Sequence, residues 1–171
     1  MTLLNSSLAT EFLAQYKKLL SEVAGKALME MDLEDFEMAR RELYEKNLNK
    51  TYSFANSYDP SFIDAVRSAT YGMFIYAKKY RQGYALKSSD GTWHCVKALT
   101  TPLEELLPAD WVVIDTAILT FGGSAVCDGL LINRNMFIVK NMINTMIQEL
   151  KDERRKWSSH KKSSGFADAH R

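Results

Sequence analysis

The spacing of the apolar residues changes near Gly72, and no other feature of the sequence restricts the fold as much. Before this point, apolar residues recur every three to four positions, as they do on one face of an amphipathic helix. After it, short runs alternate apolar and polar residues, which is typical of half-buried strands. The pattern predicts an α+β fold in which N-terminal helices precede an antiparallel sheet and a long C-terminal helix follows it.

Three helices are predicted before the change of spacing. Ser7 is the expected N-cap of the first helix, and Gly25 is placed to end it. Asp32 is the expected N-cap of the second helix, whose first turn is acidic and so suits the positive end of the helix dipole. Asp59 and Pro60 begin the third helix, because proline fits the first helical position.

Five short strands are predicted after the change of spacing, at Met73–Ala77, Tyr84–Lys87, Trp93–Lys97, Trp111–Leu119 and Ala125–Leu131. The Asp90-Gly91 pair between the second and third strands is a strong hairpin signal. Because strand edges must be covered or closed, we expect a five-stranded, strongly bent antiparallel sheet or a small SH3-like barrel. A long terminal helix is expected from about Asn135 to Trp157.

The length of 171 residues and the 46% hydrophobic content are those of one ordinary globular domain. The sequence shows no interdomain linker. We therefore expect a single domain over residues 1–157, divided into a helical part (1–71), a β part (72–132) and the terminal helix (133–157). Residues 158–171 are rich in Ser, Lys and His and poor in apolar side chains. They are therefore predicted to be a basic, flexible tail.

The two cysteines, Cys95 and Cys127, lie in apolar runs rather than at metal-ligand spacing. With no secretory signal and no apolar run that could span a bilayer, they are interpreted as reduced core thiols of a cytoplasmic protein that has no membrane partner. Neither a phosphate-binding loop nor a zinc motif is present. No cofactor and no metal are expected.

Three residues are candidates for catalysis: Asp128, Asp115 and His94. Asp128 lies at the end of a predicted buried strand and Asp115 interrupts an apolar one, and an acid is costly in such places unless it is hydrogen-bonded. The functional interpretation is a pair of general acid/base or metal carboxylates. The structural alternative is that Asp128 binds the amides of the following turn and Asp115 points away from the sheet. His94 and its neighbour Cys95 resemble a nucleophile pair, but successive side chains of a strand point to opposite faces.

Basic and aromatic residues alternate in the Lys78–Lys87 hairpin. The candidate binding residues of this hairpin are Lys78, Lys79, Tyr80, Arg81 and Tyr84. Such a surface could hold nucleic acid, with rings against bases and cations against phosphates. A solvated strand edge, protected from aggregation by its lysines, is the favoured alternative.

Two segments of the β part, Leu99–Leu106 and Ala117–Leu131, resemble a family of uncharacterised bacterial and archaeal proteins. That family has an "LTxPLEEL" segment, followed by an "LLPFxxxIxYDGLL" hairpin and a terminal helix. The resemblance extends over roughly residues 8–150. This chain departs from the pattern at Thr120, where the family has Pro, and at Cys127, where it has Tyr. The resemblance implies the fold but carries no known activity.

These observations favour a non-enzymatic binding or regulatory module whose partner is a macromolecule, with protein preferred over nucleic acid. The alternatives are a nucleic-acid-binding barrel that uses the Lys78–Lys87 hairpin and the basic tail, and a hydrolase-like enzyme centred on Asp128. Met136, Met142 and Met146 are interpreted first as core filler and second as an adaptable interface. The apolar residues Leu28, Met29 and Met31 could cover a homodimer contact.

Overall fold

A computed structural model describes residues 1–51 and 57–164 of the chain, and its architecture is the α+β fold that the sequence predicts. The helices are α1 (Ser6–Ala24), α2 (Leu33–Glu45), α3 (Leu48–Thr51), α4 (Pro60–Ser68), α5 (Leu103–Leu106) and α6 (Lys140–Ser164). The strands are β1 (Thr70–Lys79), β2 (Tyr84–Ser88), β3 (Trp93–Val96), β4 (Val112–Phe121), β5 (Ser124–Cys127) and β6 (Ile132–Phe137).

The strands form one antiparallel sheet in the order β3-β2-β1-β4-β5. β4 pairs with β1 along one edge, and on its other edge its second half pairs with β5 from Ile118 onward. Its first half pairs on that same side with β6, from Val112 to Asp115. A register shift in β1 between Tyr76 and Lys78 marks a bulge, which increases the local twist of the sheet.

The five-strand path curls into a half-barrel. Just beyond β3, the amide of Lys97 donates to the carbonyl of Ala125 at 2.8 Å, and the amide of Cys127 donates to the carbonyl of Lys97 at 3.0 Å. These bonds join the two ends of the path over a short stretch. The predicted bent sheet is confirmed.

β6 is a strand that the sequence did not predict, and it lies where the terminal helix was expected to begin. Asn135 has a left-handed backbone with φ 53°, which a helix cannot accommodate. Its amide is held by the side chain of Asn133 at 2.9 Å. The chain therefore stays extended to Phe137, and α6 begins only at Lys140.

α6 continues past Trp157, the expected end of the terminal helix, as far as Ser164. Residues 165–171, which belong to the predicted flexible tail, lie outside the described residues. Within the described part of the chain, no helix combines the length and the apolar character that a membrane span needs.

The helix starts follow local hydrogen bonding. α1 is capped by Asn5, whose side chain accepts from the amide of Ser7 at 2.9 Å, so the expectation that Ser7 is the cap is wrong. Gly25 ends α1 in the left-handed conformation with φ 66°, as expected. Asp32 caps α2 in a reciprocal capping box with Asp35.

Helices cover the outer face of the sheet in two separate groups. α1, α2 and α4 pack over the second half of β4, where Leu119 and Phe121 belong to their common core. α6 packs over β1 and β2, where Leu150 joins Ala77 and Ala85. A third cluster fills the concave side of the sheet.

Candidate functional site

Asp128 follows β5 and lies at the centre of a buried polar network. Its carboxylate accepts from Arg40 Nη1 at 3.1 and 3.2 Å and from the Tyr16 hydroxyl at 2.8 Å. It also accepts from Thr116 Oγ1 at 3.2 Å and from the amide of Leu130 at 3.0 Å. The turn-binding role that was the structural alternative for Asp128 is therefore present, together with an ion pair that the sequence did not suggest.

The network is sealed from solvent. The side chains of Arg40 and Asp128 have no exposed surface. Burial raises the pKa of Tyr16, and the neighbouring Asp128 charge raises it further. Burial acts to lower the pKa of Arg40, but the charge and hydrogen bond of Asp128 outweigh it and the pKa is raised. The Asp128 carboxylate is therefore surrounded by a permanently charged guanidinium and by hydroxyls that remain neutral. This arrangement suits a structural anchor between the helices and the sheet.

The cavity beside Asp128 is small. Its volume is about 130 Å³, and it is lined mainly by apolar side chains of α1 and α2, such as Leu20 and Phe36. Ligand sites are usually about 300–1,000 Å³. In the part of the chain that the structure describes, the buried carboxylate therefore has no adjoining cleft in which a substrate of ordinary size would fit.

The other two catalytic candidates lie elsewhere. His94 Nε2 is 3.3 Å from Ser88 Oγ, and the imidazole contacts the ring of Phe74 edge-on. Asp115 is buried on β4 and forms an ion pair with Arg134 of β6. Within residues 1–51 and 57–164, no hydrogen bond or ion pair joins His94 or Asp115 to Asp128. The structure does not bring the three candidates together.

Arg40 is the partner that the sequence reading missed. Arginine in the middle of a helix is usually solvated, and Arg40 was not singled out. Yet it lies four positions after Phe36 and three before Leu43, on the apolar face of α2. Its helical position was a signal that this charge would be buried and paired.

The Lys78–Lys87 hairpin does not present the free rings that nucleic-acid stacking would need, and one of its cations is paired. Lys79 Nζ is 2.6 Å from Glu104 Oε1, and the Tyr84 hydroxyl donates to Glu104 Oε2 at 2.5 Å. Tyr84 itself is buried. Lys78 Nζ lies over the ring of Tyr80, 5.5 Å from its centroid.

Arg81 belongs to the turn of this hairpin, and Arg154 of α6 contacts the hairpin at Tyr80. Arg81 is exposed, and its carbonyl accepts from the N-terminal amine of Met1 at 3.3 Å. The guanidinium of Arg154 in α6 lies 3.9 Å from the centroid of Tyr80. Tyr80 is thus engaged by two cations, and of the five hairpin candidates Lys78 and Arg81 remain without an acidic partner in the described part of the chain.

An apolar groove lies on the outer face of the sheet between β6 and α6. Its volume is about 530 Å³. We call it the methionine groove, and its apolar lining consists of Met73, Phe74, Ile75, Val113, Met136, Met142 and Met146. Met146 is buried, as expected for core filler, whereas Met73, Met136 and Met142 are 49%, 53% and 53% exposed. For Met136 and Met142, the interpretation as an adaptable interface is therefore better supported than the interpretation as core filler.

The charged residues that line the methionine groove neutralise each other. Lys87 Nζ is 2.6 Å from Glu149 Oε2, and Trp93 Nε1 donates to the same oxygen at 3.3 Å. The hydrogen bond from Lys87 lowers the pKa of Glu149. The ion pair therefore stays formed near neutral pH, and the groove carries no net charge.

Comparison with known proteins yields no match to a family model, to a curated protein or to a solved structure. The resemblance of Leu99–Leu106 and Ala117–Leu131 to a prokaryotic family accordingly stays a prediction.

Proposed function

We propose that this chain is a non-enzymatic binding module, and that the methionine groove binds an amphipathic helix of a partner protein. The observation that carries the proposal is the set of exposed apolar side chains in the groove: Met73, Met136 and Met142 are 49%, 53% and 53% exposed. Exposed apolar side chains gathered in one groove of a folded domain commonly mark a contact site.

The chemistry of the groove favours an apolar ligand. Glu149 and Lys87, the charged side chains that the described residues contribute to its lining, are already paired with each other. Binding a charged group here would remove water from that group without offering it a free counter-charge. Methionine side chains are unbranched and polarizable, so they can adapt to apolar ligands of differing shape.

The form of the groove favours a peptide over a small molecule. Its exposed methionines come from three elements, β1, β6 and α6, and form an open apolar surface rather than an enclosed cavity. A helix that lays one apolar face across the groove would cover all three.

The irregular backbone of β6 favours a helix over an added strand. The pairing of β6 with β4 shifts register between Val112 and Ile114, and Asn135 adopts a left-handed conformation. A bulge of this kind twists an edge strand and interrupts its row of amides and carbonyls. Contact through side chains is therefore better supported than backbone pairing.

The surroundings of Asp128 support a binding role over an enzymatic one. Its carboxylate is fully used by Arg40, Tyr16, Thr116 and a backbone amide, and it has no exposed surface. A general acid or base must be within hydrogen-bond reach of its substrate.

The test is a double substitution in the groove, Met136→Glu with Met142→Glu. Both side chains are more than half exposed, so the fold should survive. The matched control is Met29→Glu with Met38→Glu, which alters two exposed methionines, 93% and 62% exposed, elsewhere in the chain. The probe is a fluorescent 18-residue amphipathic helical peptide with leucines on one face.

We expect the groove variant to bind the peptide at least about tenfold more weakly than the wild type, the equivalent of about 1.4 kcal/mol. The control should bind like the wild type. Proximity labelling in cells should then recover partner proteins with the wild type and the control but not with the groove variant. Equal peptide binding and equal labelling by all three proteins would contradict the proposal.

A further inference from the structure

The turn between β1 and β2 is fixed against the second half of α6. The guanidinium of Arg154 covers the ring of Tyr80 at 3.9 Å from its centroid. Next to this contact, Gln82 Nε2 donates to Ser158 Oγ at 3.1 Å. Two segments that are basic in sequence, the hairpin and the end of the terminal helix, thereby form one continuous surface.

A groove of about 500 Å³ lies at this junction, and it is lined by Gln82, Lys151, Arg154, Arg155, Ser158 and Ser159. We call it the basic groove. In α6, Arg154, Arg155 and Ser158 follow Lys151 by three, four and seven positions. These four residues therefore share one face of the helix. No carboxylate belongs to the lining that the described residues provide.

The cations of the basic groove are available to an anionic ligand. Among the described residues, neither Lys151 nor Arg154 has an acidic partner within ion-pair distance. Arg155 Nη1 is 3.5 Å from Asp152 Oδ1, but these side chains are 82% and 73% exposed. A surface pair of this kind contributes little, so a phosphate could replace the carboxylate.

We propose that the basic groove binds the phosphate backbone of a nucleic-acid duplex without regard to its sequence. Lysine, arginine and serine side chains are the usual partners of backbone phosphates, and such contacts position a duplex without reading bases. Lys78 and Arg81, exposed in the adjoining hairpin, extend the positive surface.

A duplex is favoured over a single strand because the hairpin offers no ring for bases. Proteins that bind single strands combine cations with aromatic platforms. Tyr80 is covered by Arg154, and Tyr84 is buried and bonded to Glu104. What this surface offers is charge and hydroxyl donors, which suits phosphates.

A membrane surface is a less suitable partner. Helices that lie on membranes insert large apolar side chains between the lipids. Between Lys151 and Ser159 the structure has no exposed large apolar residue, and Trp157 of this stretch is half-buried.

The test uses the full chain, a fluorescent 20-base-pair DNA duplex and a single strand of the same length. Affinities are measured by fluorescence anisotropy between about 50 and 200 mM salt. The variant Lys151→Gln with Arg155→Gln removes two exposed charges from the basic groove. The control, Lys17→Gln with Lys46→Gln, removes two exposed charges from α1 and from the end of α2. Neither variant alters the methionine groove, so the outcome is independent of the proposed peptide binding.

We expect the wild type and the control to bind the duplex, more tightly than the single strand, with affinity falling as salt rises. The slope of log affinity against log salt should decrease by about 0.9 for each lost phosphate contact in the groove variant, and its affinity at low salt should fall. Four results would overturn the proposal: no duplex binding at the lowest salt, the same loss in both variants, tighter binding of the single strand, or binding of phosphatidylserine vesicles without binding of the duplex.

Discussion

The guanidinium of Arg40 and the carboxylate of Asp128 lie 88 positions apart in the sequence and form an ion pair that is wholly buried. Arg40 Nη1 also donates to the carbonyl of Leu130, and the guanidinium lies over the ring of Tyr71 in β1, 5.3 Å from its centroid. One side chain of α2 is thus tied to β1 and to the turn after β5. The pair is a buried polar link between the N-terminal helices and the sheet.

Removal of the Asp128 charge alone should be severely destabilising. We expect Asp128→Asn to lower the free energy of unfolding by about 3–5 kcal/mol, because the Arg40 cation would remain buried without a counter-charge. Chemical denaturation with two probes, near-UV and far-UV circular dichroism, measures this loss.

The double variant Arg40→Met with Asp128→Asn is the informative comparison. Arg40 Nε and Nη2 are buried and have no hydrogen-bond partner among residues 1–51 and 57–164, so methionine would remove two donors that already cost free energy. The neutral amide of residue 128 could still accept from Tyr16 and Leu130. We expect the double variant to be more stable than Asp128→Asn by at least about 1 kcal/mol. A double variant as unstable as the sum of the two single variants would show that the residues do not interact.

Gly83 lies where the β1–β2 turn comes closest to β3, and no larger residue should be accepted there. An added Cβ would lie 2.6 Å from the Val96 carbonyl oxygen and 3.0 Å from Cys95 Sγ. Gly72 is the matched control, because its φ of 155° is close to the 158° of Gly83 but an added Cβ would meet no described residue within 4 Å.

Both alanine substitutions carry similar backbone strain, about 1–3 kcal/mol. Gly83→Ala should cost at least about 1 kcal/mol more than Gly72→Ala, because the backbone of β3 must move. Thermal and urea denaturation of both variants check this difference. Equal costs would indicate that β3 yields without penalty.

The two thiols should differ strongly in reactivity. Burial raises the pKa of Cys127, and the nearby Asp128 charge raises it further. Cys95 is half-buried and lines a cavity of about 590 Å³ together with Met1, Lys97 and Trp157. A disulfide reagent in excess should modify Cys95 in the folded protein and Cys127 only after the structure opens.

The expected difference in rate between the thiols is at least about a hundredfold, since modification of Cys127 requires local unfolding. The number of thiols modified with time, before and after addition of denaturant, is the measurement. In the variant Cys95→Ser, the fast phase should disappear. A fast phase that persists there would mean that Cys127 is accessible.

Most of the fold could be predicted because local signals agreed with it. The left-handed Gly25, the capping box at Asp32 and the Asp90-Gly91 hairpin each act through neighbouring residues, and each appears where the sequence placed it. The change of spacing near Gly72 coincides with the start of β1 at Thr70. Such features require no knowledge of distant contacts.

The features that were not predicted depend on contacts between distant parts of the chain, which the spacing of apolar residues does not encode. β6 was mistaken for helix because Met136 and Phe137 are apolar, whereas the left-handed Asn135 and the pairing with β4 hold the segment extended. The buried partner of Asp128 comes from α2, far away in sequence. The orientation of Met142, toward the core or toward solvent, depends on where β6 ends. Because β6 was not predicted from the sequence, the methionine groove could not be predicted either.

The imidazole of His94 should make the protein less stable as pH falls below neutrality. Burial lowers the pKa of His94, and the nearby Asp90 charge only partly opposes this. The unfolded chain therefore takes up a proton near the ordinary histidine pKa of 6.5, before the folded chain does. The stabilisation that results is fully present above the pKa of histidine in the unfolded chain. It is lost as pH falls toward the lower pKa that His94 has in the folded chain.

Denaturation by urea at about pH 7.5 and pH 5.5 measures the effect in the wild type and in His94→Gln. The free energy of unfolding should fall more in the wild type, because glutamine does not titrate and can keep the contact with Ser88. Paired carboxylates such as Glu104, whose pKa is lowered by its bonds to Lys79 and Tyr84 despite the opposing effect of burial, lose their contribution at lower pH and are common to both proteins. The same dependence in both proteins would show that His94 is protonated as easily in the folded chain as in the unfolded one.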